Sequence, residues 1–101
     1  MKKNPKEAQL QEMEALAEKL GVEIRVETLR SLHPRKGGLC RVQGAFVLLI
    51  DKKASLDERW FLFTEALCMF DLDGEFLSPK LRALLAERRD DLVSRGKRLP
   101  E

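Results

Sequence analysis

Residues 39–50, LCRVQGAFVLLI, decide the fold. Two apolar-rich runs, Leu39 to Val42 and Ala45 to Ile50, are separated only by Gln43-Gly44, and a two-residue spacing closed by glycine marks a tight β-hairpin. The second run, AFVLLI, is apolar at every position, so it lacks the wet face of an edge strand. It should be covered on both sides, or lie centrally with a helix over one face and other residues or a partner subunit over the other.

Upstream of the hairpin, residues 30–38, RSLHPRKGG, read as a loop, because Pro34 breaks regular structure and Gly37 and Gly38 tolerate any backbone angle. Before the loop, Val22, Ile24 and Val26 alternate with Glu23, Arg25 and Glu27, the period-two pattern of a half-buried or edge strand. The first element is an amphipathic helix over about residues 5–20. Ala8, Leu10, Met13, Leu16, Ala17 and Leu20 share one face, Asn4 caps the start, Pro5 takes the first position and Gly21 stops it.

Downstream, Asp51 to Ala54 turn the chain, and Ser55 with Glu58 forms a capping box that opens a second helix. Leu56, Trp60, Phe63, Thr64 and Leu67 form its stripe, and Phe61, Cys68, Met69 and Phe70 widen it, which predicts the most buried helix of the fold, ending at Asp73-Gly74. Trp60, Phe61, Phe63, Phe70 and Phe76 are expected as core aromatics. Ser78-Pro79 opens a last helix with Leu81, Leu84, Leu85 and Leu92 inward, and a frayed tail follows from Gly96. The order predicts one α+β domain over residues 1–101: an N-terminal helix, a three-stranded antiparallel or mixed sheet, a buried central helix and a C-terminal helix.

The 101 residues, 44% apolar and 36% charged, suit one compact core and exclude a disordered tail protein. A membrane helix needs about 20 apolar residues, and no run here approaches that. Two cysteines and a start without an apolar leader point to a cytoplasmic chain with reduced thiols. Charge is segregated: residues 1–29 carry −1, 30–53 carry +5, 54–79 carry −5 and 80–100 carry +4. Such alternation reports complementary elements rather than the sustained basic excess of a nucleic-acid face.

The buried helix contains Asp57-Glu58-Arg59-Trp60-Phe61-Leu62-Phe63-Thr64-Glu65-Ala66-Leu67-Cys68. With the preceding helix and the hairpin GGLCRVQGAFVLLIDKKAS, it resembles, over about residues 8–85, the minimal zincin metallopeptidases, especially small bacterial gluzincin-type domains. In that family the helix carries His-Glu-x-x-His, two imidazoles holding zinc beside a glutamate general base. The window here is Thr64-Glu65-Ala66-Leu67-Cys68, in which only Glu65 matches. A hydroxyl is a poor zinc ligand beside imidazole, so the resemblance implies a degenerate, non-catalytic member. The downstream glutamate ligand has two available positions, Glu75 and Glu87, and nothing selects between them.

Other candidates have plainer readings. Glu65 is expected to pair with an arginine such as Arg41 or Arg82 or to reach water, although it is also the candidate relic acid. Cys68, Cys40 and His33 form a weak candidate metal set. Asp71-Leu72-Asp73-Gly74-Glu75 has its glycine at the wrong position for a calcium loop and reads as a helix-ending turn. The exposed basic cluster is Arg30, Arg35, Lys36, Lys52 and Lys53, beside His33, and it has no interleaved aromatic on which bases stack.

These observations imply a protein-interaction or regulatory module without a cofactor, self-associating or bound to an unidentified protein partner. Few elements are available to cover the apolar strand and helix, so Val47, Trp60, Leu62 and Phe63 are the interface candidates. Two alternatives remain open. One is a metal-dependent hydrolase using Glu65 and Cys68; the other is nucleic-acid binding through residues 30–53 and the Arg88, Arg89, Arg95, Lys97, Arg98 tail.

Overall fold

The computed structural model describes residues 4–29 and 36–96. Helix α1 spans Pro5–Leu20, strand β1 Glu23–Glu27, strand β2 Gly37–Val42, strand β3 Ala45–Asp51, helix α2 Leu56–Leu67 and helix α3 Pro79–Ser94. The expected α+β architecture is present, and its sheet is mixed. The strand order is β1-β3-β2, with β1 parallel and β2 antiparallel to β3. The all-apolar run is thus the central strand.

Local chemistry sets the element ends. Asn4 Oδ1 accepts from the Lys6 N–H at 2.9 Å, and Gly21 closes α1 at φ 77°. Gln43 and Gly44 both take positive φ, 51° and 84°, the pairing a two-residue hairpin requires to match strand twist. Strand β2 begins at Gly37, earlier than the loop reading over 30–38 allows. A Cβ at Gly37 would lie 2.0 Å from the Leu49 carbonyl oxygen, so the glycine permits close approach of two strands rather than a flexible loop. Arg30, His33 and Arg35 of that loop, and the tail beyond Gly96, lie outside the described residues.

Side-chain alternation divides the sheet into two faces. Ile24, Leu39, Phe46, Leu48 and Ile50 face the core with α1 and α2. On the other face Val47 sits in register between Glu23 and Cys40 and is buried, with Leu49 half-buried beside it. Met13, Leu48, Leu67, Leu81 and Leu85 form the heart of one core that joins all three helices to the sheet.

Helix α2 ends earlier than its apolar pattern predicts. Cys68 is its C-cap, and the Phe70 N–H donates to the Leu67 carbonyl in a tighter turn. The Phe70 ring then packs edge-on against Phe46, with centroids 5.1 Å apart. A tertiary contact therefore removes Phe70 from the helix before Asp73-Gly74 is reached. Three polar ties fasten α1 to the rest: Lys6 to Asp57 at 3.0 Å, Gln9 to the Trp60 indole N–H at 2.8 Å, and Glu12 to Ser78. Both cysteines are free thiols, and among the described residues no helix is long and apolar enough to cross a membrane.

Candidate functional site

The window that would carry metal chemistry lies on the last turn of α2. Ser55 and Glu58 form the expected capping box, with both reciprocal bonds present, which satisfies two backbone N–H groups at the helix start. Thr64 is fully buried and its hydroxyl donates to the Phe61 carbonyl at 2.8 Å. Cys68 is also buried, and its thiol donates to the Glu65 carbonyl at 3.4 Å. Thr64 and Cys68 thus point into the hydrophobic core and bond within their own helix.

Burial pushes the Cys68 thiol up to about 11, with the nearby Glu65 carboxylate acting in the same direction and the Arg88 and Arg89 guanidiniums opposing it. The window offers one hydroxyl and one thiol, each bonded to a carbonyl of its own helix, and a hydroxyl is a poor zinc ligand, so this donor set does not fit zinc. Glu65 is half-buried and engaged rather than free. The two arginines named beside it also make other contacts. Arg41 lies over the Phe46 ring at 5.0 Å, and Arg82 donates to the Leu72 and Glu75 carbonyls.

Cys40 is not brought to Cys68. It lies on the opposite face of the sheet, donating to the Val47 carbonyl at 3.4 Å, while Cys68 belongs to the core under the helices. Among the described residues no group of three His, Cys, Asp or Glu side chains is arranged to hold a metal. Of the candidate downstream glutamates, Glu87 lines a shallow concavity with Leu84, Arg88 and Asp91, and Glu75 lies in the loop after α2. Lys36, Lys52 and Lys53 are exposed at one end of the sheet, where the Lys36 carbonyl accepts from the Asp51 N–H at 2.7 Å.

The interface candidates need correction. Val47, Leu62 and Phe63 are only 2%, 5% and 2% exposed, so they serve the chain's own packing and offer no surface to a partner. Trp60 is half-buried, with Lys6 Nζ 4.9 Å above its ring. Helix α2 is covered within the chain, packed against α1, α3 and the sheet, with Leu81, Leu85 and Leu92 of α3 in the same core.

The exposed aromatics lie elsewhere. Phe61 is 40% exposed beneath the Arg88 guanidinium, and Phe76 is 93% exposed. Neither is the core residue that composition suggests. Phe76 sits in the loop 71–78, which hydrogen bonds brace on either side of the ring. The Asp73 N–H donates to Asp71 Oδ1, and the Glu75 N–H to the Leu72 carbonyl. Arg82 clamps the Leu72 and Glu75 carbonyls from α3, while Glu12 of α1 accepts from both the N–H and the hydroxyl of Ser78 at 2.7 Å. Leu72 and Leu77 turn toward the core, and Phe76 turns to solvent. One signal was available in the sequence: Phe76 lies between Gly74 and Pro79, outside any helical or strand periodicity.

Comparison with known protein families, with curated proteins and with solved structures finds no match to this chain.

Proposed function

We propose that this chain is a non-catalytic protein-interaction module that keeps a zincin-like frame without its metal chemistry. The observation that carries the reading is Phe76, a ring 93% exposed on a loop held by hydrogen bonds from α1 and α3. Burying a phenylalanine is worth about 1.5–3 kcal/mol, so a braced loop that holds one in water forgoes stability that a partner can recover. Pre-ordering the loop also lowers the entropic cost of association. The inward-facing Thr64 and the neutral, buried Cys68 support the non-catalytic half of the proposal.

Native mass spectrometry of the untagged full chain tests this reading, alone and with Glu65→Gln. The expected spectrum is metal-free, with no change on substitution. One zinc per chain that disappears in Cys68→Ser would overturn it in favour of a metal-dependent hydrolase.

A further inference from the structure

A second feature lies beside the Phe76 loop. A cavity of about 120 Å³ opens between the end of α2 and α3, lined by Cys68, Phe70, Leu72 and Leu85, with Arg82 and Arg89 on its α3 side. An apolar cavity of roughly 150 Å³ accepts benzene, so this one, open to solvent, is of the size for a single ring and little more. Arg89 stands at the rim with its guanidinium close enough to act on the Cys68 thiol. The loop supplies what the cavity lacks. Phe76 is an unburied ring, and Asp71, Asp73 and Glu75 make its surroundings acidic, although Asp73 itself also lines the cavity.

Ring and cavity belong to neighbouring segments of one chain, and the ring is outside the cavity. We propose that two copies of this chain dock reciprocally, the Phe76 ring of each entering the other's cavity while Glu75 of each pairs with Arg89 of the other. The proposal rests on the interaction-module reading and names a second copy as the partner. A patch used twice about a two-fold axis gives a closed dimer and no open chain of copies. The contact is small, well below the roughly 1,200 Å² of a stable interface, so the dimer is weak and forms at high protein concentration.

Sedimentation velocity of the full chain over a concentration series tests this. Wild-type protein is expected to shift from monomer to dimer, and Phe76→Ser to weaken the association by at least about tenfold without unfolding the chain. Arg89→Glu and Glu75→Arg each place like charges at both contacts, and each alone is expected to stay monomeric. Mixed one to one, the two variants restore opposite charges at both contacts and are expected to form a mixed dimer. That rescue would not follow from a general loss of folding or solubility. A wild type that stays monomeric, a Phe76→Ser protein that dimerises as wild type does, or a mixture that stays monomeric overturns self-docking. Failure of the interaction-module reading is seen separately, as stoichiometric zinc in the mass spectrum.

Discussion

Phe63 and Phe76 belong to adjoining segments yet have opposite fates: the first is 2% exposed in α2 and the second 93% exposed in the loop that follows. In the helix, burial is set by rotation about the axis, which the apolar stripe of Leu62, Phe63, Ala66 and Leu67 selects. In the loop, no period exists. Orientation there follows from where the backbone hydrogen bonds go, and Arg82, Glu12 and Asp71 spend those bonds in a way that turns Leu72 and Leu77 inward and Phe76 outward. The same residue type is thus a packing element in one segment and a presented surface in the next.

The contrast is tested most strongly by truncating both rings. Phe63→Ala should cost about 3–5 kcal/mol in chemical denaturation, as for other buried phenylalanines, whereas Phe76→Ala should stay within about 0.5 kcal/mol of wild type. Equal losses would mean that the loop ring is packed after all.

Cys68 sits at the junction of the two segments and gives the next largest effect. Its thiol is raised from 9.0 to about 11 in the folded chain, so between those values the unfolded chain has released a proton that the folded chain keeps. The stabilisation is fully present below pH 9 and is lost as pH rises through that window, on the order of 2 kcal/mol in all. Denaturation midpoints measured from pH 8 to 11 should fall more steeply for wild type than for Cys68→Ala. Parallel curves would place the thiol in contact with water.

The brace itself can be removed from a distance. Glu12→Ala deletes both bonds to Ser78 and should cost about 1 kcal/mol, since these exposed hydrogen bonds compete with water. Amide exchange should then quicken in residues 71–78 before it does in α2. Uniform quickening would show that the loop and the helix open together.

An effect of similar size is expected at the start of the helix. Ser55→Ala removes one half of the capping box and should cost about 0.5–2 kcal/mol, read as a lower thermal midpoint without change in the loop's exchange. A change in loop exchange would tie the two ends of α2 together.

Much of the fold is legible in the residues. Asn4, Pro5 and Gly21 bracket α1, Gln43-Gly44 turns the hairpin, and Ser55 and Ser78 open α2 and α3, because caps and turns are satisfied by neighbours a few positions away. The central place of β3 follows from an apolar run without a wet face. The end of α2 was not legible, since it depends on Phe70 meeting Phe46 across the core. The candidate interface at Val47, Leu62 and Phe63 is buried for a related reason: apolar pattern reports which residues seek cover, not whether the chain itself supplies it, as α1, α3 and the sheet do around α2.

The sequence by itself determined the elements, their order and the absence of histidine from the Thr64–Cys68 window, since these depend on residue identity and short-range bonding. Only the tertiary structure decided that Thr64 and Cys68 face the core, that Cys40 and Cys68 lie on opposite sides of the sheet, and that Phe76 stands in solvent beside an arginine-edged cavity. Each of these depends on contacts between residues far apart in the chain, such as Glu12 with Ser78, and no local pattern encodes which distant groups will meet.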